Sequence, residues 1–116
     1  MLDVQQTLHV FGDFVQPSVA KMGGISELCK ILPTATVRNI TLMPHCFYDG
    51  PGLLAAIHVT AALGTADAMI EWRFFDLEAQ LYGGAISPTG RTPLPQRPGL
   101  GIDPDPHVVR AYLRQM

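Results

Sequence analysis

The chain is poor in charge. Only 16% of its 116 residues are Asp, Glu, Lys or Arg, while 47% are hydrophobic. Its 8 basic and 10 acidic side chains leave a formal net charge of -2, and the Lys and Arg are scattered. That excludes the basic stripe needed to bind nucleic acid or an anionic membrane surface. So much apolar content also excludes a disordered chain. Cysteine is scarce too. Cys29 and Cys46 make no CxxC pair and read as two reduced thiols, not a disulfide framework. Met1-Leu2-Asp3-Val4-Gln5-Gln6 has no basic stretch leading into a long apolar run, so no export signal is read and a cytoplasmic protein is expected. The longest apolar stretch, residues 53–70, is interrupted by His58, Thr60, Thr65 and Asp67. It reads as a buried helix with its connection, not a membrane span.

Glycine and proline are abundant by contrast, at 11 and 10 residues, and they cut the chain into short units. Residues 4–11 carry a weakly helical pattern that Gly12-Asp13 stops. Phe14-Val15-Gln16 reads as a short strand with Pro17 at its exposed end. Gly23-Gly24 turns the chain into residues 25–32, where apolar positions 25, 28, 29, 31 and 32 recur at helical spacing. Pro33 predicts a kink, since it removes a backbone donor and crowds the preceding turn, with residues 34–38 continuing the helix for another turn. Asn39 breaks the chain before a strand at 40–43. After Tyr48-Asp49-Gly50-Pro51-Gly52 comes a helix over 53–63, apolar almost all round and so in need of cover on most sides. Gly64 caps it, and Ala68-Met69-Ile70 is the third strand. Loop residues dominate from Gly83-Gly84 until a short helix over 107–114. Strands alternating with helices predict βα units, a parallel sheet and an α/β fold class. Parallel strands are normally covered on both faces. Three units leave two open sheet edges, so residues 1–116 are expected to be a single partial domain of something larger, with 83–116 a loop-rich tail.

Each predicted strand ends on a polar residue. In Met43-Pro44-His45-Cys46-Phe47-Tyr48-Asp49-Gly50 a titratable imidazole ends an apolar strand and opens a Gly/Pro loop. That is where open α/β proteins and β/α barrels carry their chemistry. Pro17-Ser18-Val19-Ala20-Lys21-Met22-Gly23-Gly24 and Met69-Ile70-Glu71-Trp72 repeat the pattern, so Ser18, His45 and Glu71 are expected on one rim. His45 is either a proton carrier or a histidine hydrogen-bonded at a strand end. Glu71, partly withdrawn from water, either acts on a ligand or pairs with Arg73. Lys21 either faces a ligand or snorkels at the rim. His58 reads as a satisfied core histidine, and Asp49 as a turn residue. Cys46 and His45 are adjacent on a strand and face opposite sides, which excludes a Cys–His pair. No metal ligands are assigned.

Four of these segments, in order, resemble the enolase superfamily: Phe14-Val15-Gln16-Pro17-Ser18-Val19-Ala20-Lys21-Met22-Gly23-Gly24-Ile25-Ser26-Glu27, Met43-Pro44-His45, Leu54-Ala55-Ala56-Ile57-His58 and Met69-Ile70-Glu71-Trp72. The nearer likeness is to the mandelate racemase and muconate lactonizing branch, which includes acid-sugar dehydratases. Pro95-Gln96-Arg97-Pro98-Gly99-Leu100-Gly101-Ile102 is similar to the family's C-terminal return. The resemblance covers roughly residues 12–116. It implies a partial (β/α)8 barrel, strands six to eight plus the return toward a capping domain, of a fold that needs about 250 residues. It also implies a Mg²⁺-dependent enzyme, often a homo-oligomer, acting on a small carboxylate such as an acid sugar. The three acidic Mg²⁺ ligands and a lysine motif belong to strands absent here.

The implied reaction is that of a hydro-lyase: a proton is removed beside a carboxylate and a β-hydroxyl leaves as water. A racemase, epimerase or cycloisomerase of the same superfamily, or an inert or associating chain, are the alternatives. His45 matches the family's strand-seven histidine, a base or acid, and Glu71 its strand-eight glutamate, which hydrogen-bonds the enolate or protonates a substrate oxygen. Ser18 stands where the racemase branch has an aspartate that orients the histidine and the lactonizing branch a lysine base. A serine can hydrogen-bond an imidazole but brings no charge to balance an imidazolium. Lys21 matches a lysine often present near that turn.

Overall fold

A computed structural model describes residues 12–66, 68–73, 75–86 and 90–114. The helical pattern over residues 4–11 lies outside the described residues. Two parallel strands, β1 (Phe14–Val15) and β2 (Thr41–Leu42), pair with Phe14 opposite Thr41. The hydrogen-bond ladder runs further. The amides of Thr41, Met43 and His45 donate in turn to the carbonyls of Asp13, Val15 and Pro17, at 2.8, 2.9 and 3.1 Å. On the other edge of β2, the amides of Met69 and Glu71 donate to the carbonyls of Leu42 and Pro44, at 3.2 and 3.1 Å. Evenly stepped rungs of this kind are the parallel pattern. Residues 69–71 thus lie along β2 where a third strand was expected, yet without the return bonds of a full strand among the described residues. Proline accounts for one of them, because Pro44 keeps an acceptor and lacks a donor. Pro44 has no amide to give back to the Met69 carbonyl.

Side chains alternate across this ladder. Val15, Pro17, Leu42, Pro44 and Cys46 are buried, while Phe14, Gln16, Thr41, Met43 and His45 are exposed or half-exposed. Two helices cover the buried face. Helix α1 (Ile25–Val37) starts after Gly24, whose φ of 99° lies in the left-handed region that favours glycine. Its buried stripe is Leu28, Ile31, Leu32 and Ala35. The helix runs through Pro33 for the further turn expected over residues 34–38, as far as Val37. Pro33 is on the exposed side, and the buried residues before and after it hold both halves to the core. The helix ends as Asn39 turns to a φ of 55°. The Ile40 amide then reaches the Ala35 carbonyl at 2.9 Å and the Asn39 amide reaches that of Thr36 at 3.1 Å, a Schellman end.

Helix α2 (Pro51–Leu63) begins at Pro51, whose missing amide costs nothing in a first turn. It buries Leu53, Leu54, Ala55, Ala56, Ile57 and Val59. Such broad burial needs more than α1, and the tail supplies the rest. Tyr82 and Ile86 join the same core cluster. His58 Nε2 donates to the Leu100 carbonyl at 3.1 Å, and the Asp105 amide to that of Leu81 at 2.8 Å. His58 is therefore satisfied, as its setting suggested. Gly64 ends α2 where a Cβ would come within 2.5 Å of the Thr60 carbonyl oxygen, so no larger residue fits without a shift. A short helix α3 (Pro106–Tyr112) closes the chain, capped by the Asp105 carboxylate on the His107 amide at 2.8 Å. Among the described residues, no helix is long and apolar enough to cross a membrane. The opposite face of the ladder keeps Phe14 at 52% and Met69 at 47% exposure.

Pro33 leaves the Cys29 carbonyl, one turn earlier, without its helical amide. Against alanine an interior proline costs about 3 kcal/mol, offset by about 0.4–1 kcal/mol from the stiffer unfolded chain. Pro33→Ala is expected to stabilise the chain by about 2 kcal/mol, read as a higher urea midpoint at unchanged slope. A lower midpoint would mean that the proline ring contributes packing here.

Candidate active site

The last rung on each edge of β2 positions the two side chains that meet at the rim. His45 is held through its amide on Pro17, and Glu71 through its amide on Pro44. Both side chains lie on the face that the helices leave uncovered. His45 Nδ1 and Glu71 Oε2 are 2.5 Å apart, with 30% and 25% of the side chains exposed. The contact is a short charge-assisted hydrogen bond. The Phe47 ring packs beside the imidazole, centroids 4.8 Å apart and planes tilted by 49°. The pair joins a group that can carry a proton to a fixed negative charge.

Ser18 and Lys21 are not brought to this pair. Ser18 is buried, and its hydroxyl lies 3.2 Å from Tyr48 Oη. Its carbonyl accepts from the amides of Lys21 and Met22 at 3.1 and 3.0 Å, and that turn leaves Lys21 exposed. Tyr48 also receives the Cys46 thiol at 3.8 Å. Its ring occupies the space beside Gly52, where a Cβ would stand 2.8 Å from Tyr48 Cε2. The Ser18–Tyr48–Cys46 cluster thus ties the loop after β1 to the loop after β2. Burial pushes the Cys46 thiol up, with the Glu71 charge adding to it and the Tyr48 hydrogen bond opposing. Burial likewise raises the Tyr48 hydroxyl against the pull of Ser18.

A second link crosses the rim. Arg73 Nη1 lies 3.7 Å from Asp49 Oδ1, with side chains only 7% and 18% exposed. The guanidinium sits 5.4 Å from the Trp72 ring centre and donates through Nε to the Phe75 carbonyl at 3.1 Å. Arg73 therefore pairs with Asp49, and Glu71 with His45, in place of a Glu71–Arg73 pair. Tyr48 had no assigned role in the sequence, and Arg73 was considered only as a partner for Glu71. The available signals were a tyrosine four residues before Gly52 and opposite charges following two strand ends. A cavity of about 850 Å³ lies elsewhere, beside Thr60, Met69, Trp72 and Arg91.

No group of three His, Cys, Asp or Glu among the described residues is placed to hold a metal ion. A hard cation such as Mg²⁺ takes several oxygen ligands, whereas this rim offers Glu71, already engaged, and Asp49, already paired with Arg73. These residues alone do not fit the ion.

The family model described as enolase C-terminal domain-like matches residues 6–108. Arabinonate dehydratase of Saccharolobus solfataricus is 38% identical over 90 residues, covering 77% of this chain and 24% of the relative. D-galactonate dehydratase of Ralstonia pickettii is 28% identical over 122 residues, covering 92% of this chain and 30% of the relative. A solved structure from Bordetella bronchiseptica RB50, provisionally named a mandelate racemase and complexed with 2-oxoglutarate/phosphate, superposes with a TM-score of 0.74. It is 28% identical, and the match covers 90% of this chain and 28% of that one. The chain thus spans less than a third of the length of each of these relatives.

The raised thiol has a measurable consequence. In the unfolded chain Cys46 ionises near its ordinary value of 9.0, while in the folded chain it holds its proton to higher pH. Stability is therefore complete below about pH 9 and is lost as pH rises through the folded thiol's range, with Tyr48 adding the same sign above about pH 10. Denaturant titrations across alkaline pH should show this decline, and Cys46→Ala should flatten its first part. A thiol reagent at neutral pH should label half-buried Cys29 before Cys46, and equal labelling rates would contradict the buried thiol.

Proposed function

The chain belongs to the enolase C-terminal domain-like family, and from that membership we propose that it is the carboxyl-terminal part of an acid-sugar dehydratase barrel. The observation that carries this reading is the His45–Glu71 pair at the carboxyl ends of neighbouring parallel segments. That end of a β/α barrel is the catalytic one. The arabinonate and D-galactonate dehydratase relatives support a hydro-lyase in the mandelate racemase and muconate lactonizing branch. The order of β1, β2 and residues 69–71 supports their assignment to barrel strands six, seven and eight. Phe14, Met43 and Met69, on the uncovered face, are then the inward residues of the barrel, to be packed by the remaining strands. The tail from residue 83 is the return toward the capping domain.

In this reading the substrate is a small polyhydroxy carboxylate. Its α-carbon loses a proton and its β-carbon loses hydroxide, which departs protonated as water, leaving an enol that relaxes to the 2-keto acid. His45 takes the α-proton or delivers the proton to the departing hydroxyl, as an imidazole can do near neutral pH. Glu71 shares its proton path, and Lys21, exposed on the Ser18 turn, is the weaker candidate to face the substrate. The superfamily is generally Mg²⁺-dependent, and oxygen ligands for the ion would have to come from other strands. Assembly as a cytoplasmic homo-oligomer belongs to the same reading. The lack of a metal-ligand group among the described residues favours a second statement: the chain by itself is inert and acts only with the rest of a barrel.

A chimera tests this directly. Residues 12–114 replace the matching segment of the Saccharolobus solfataricus arabinonate dehydratase, and 2-keto acid formation from arabinonate is followed with Mg²⁺ present. The reading predicts turnover in the chimera, reduced about 10²–10⁴-fold by His45→Asn, the usual range for a lost general acid or base. A folded chimera without turnover, or one indifferent to His45→Asn, would refute the dehydratase assignment.

A further inference from the structure

Resting on that reading of His45, we propose that Glu71 is the carboxylate that positions and charge-balances its imidazole, a task that Ser18 does not perform. Three observations converge. Glu71 Oε2 stands 2.5 Å from His45 Nδ1, and an ionised carboxylate can only accept. The neutral imidazole therefore carries its proton on Nδ1, which leaves Nε2 with a free lone pair on the uncovered face. Ser18 is meanwhile withdrawn: it is 6% exposed, its hydroxyl is bonded to Tyr48, and its carbonyl is taken by the Lys21 and Met22 amides. Moving Ser18 toward His45 would break the cluster that joins the two loops. Asp49, in the loop that follows His45, is paired with Arg73.

The consequence is electrostatic. When Nε2 accepts a proton the imidazole becomes a cation, and a cation half-buried beside an apolar ring needs a negative partner. Glu71 supplies one without moving. The main chains of both residues are fixed by successive parallel rungs on Pro17 and Pro44, so the pair is already aligned before any ligand arrives. Glu71 then acts through His45 as a positioning residue, and its proton-donor role toward substrate gives way to that of charge partner.

Tautomer state reads this out without turnover. The 116-residue chain, labelled at its histidine nitrogens, is recorded by magic-angle-spinning NMR at about pH 8, where an ordinary imidazole is neutral. That spectrum is insensitive to assembly state, and the His45 signals are those lost in His45→Gln. The wild type should show a single tautomer with the proton on Nδ1. In Glu71→Ala the Nε2-protonated form should become the majority, and in Glu71→Gln, which keeps the shape and removes the charge, the two should mix. Ser18→Ala should leave the His45 signals unchanged. Wild-type tautomers in both folded Glu71 variants, or a shift in Ser18→Ala, would overturn the proposal. Loss of turnover in the chimera leaves these signals unaffected, so the dehydratase reading and the positioning role fail separately.

Discussion

The amide of His45 bound to the carbonyl of Pro17, and that of Glu71 bound to Pro44, set the position of everything at the rim. Both acceptors are prolines at the point where a strand gives way to a loop. A proline there accepts the last rung from its neighbour and cannot extend the ladder with a donor of its own. Each strand therefore stops at the residue whose side chain is to be presented. The period of two decides which face that side chain takes. His45 and Glu71 go to the uncovered face, while Pro44, Cys46 and Pro17 go under the helices.

Magnitudes separate what holds the fold from what equips the rim. Leu28, Leu53 and Leu54 are almost fully buried, and each contributes about 1.5–3 kcal/mol through burial. An ion pair with a quarter or more of each side chain exposed contributes about 0–1 kcal/mol. The His45–Glu71 contact is thus a poor way to stabilise the chain and a good way to hold an imidazole. The Asp49–Arg73 pair differs, because both side chains are largely removed from water. Breaking one partner there strands a charge. Its place is structural, joining the loop after β2 to the segment after Glu71.

Much of this was legible in the residues. The glycine and proline punctuation located the three α-helices and both strands of the described residues, and polar residues after apolar runs located His45 and Glu71. The resemblance to the enolase superfamily drew on those same segments. The helix continues past Pro33 to Val37, as the expected further turn requires, and the buried residues on either side of the proline carry it through. Ser18 misled. Its position in the strand pattern pointed to the rim, but its hydroxyl is claimed by Tyr48, whose ring fits because residue 52 is glycine. A contact between residues that far apart has no periodic signature. Nor did the exchange of partners among Asp49, Glu71 and Arg73, which depends on which side chains the two loops bring together.

The central claim is that one parallel ladder, β1, β2 and then residues 69–71, carries His45 and Glu71 to the same end and face. Amide hydrogen exchange under native conditions reads that ladder rung by rung. The account predicts that the amides of Met43, His45, Met69 and Glu71 are all protected, those of Met43 and His45 by β1 and those of Met69 and Glu71 by β2. A Glu71 amide that exchanges as freely as an open loop, beside a protected Met43, would contradict it.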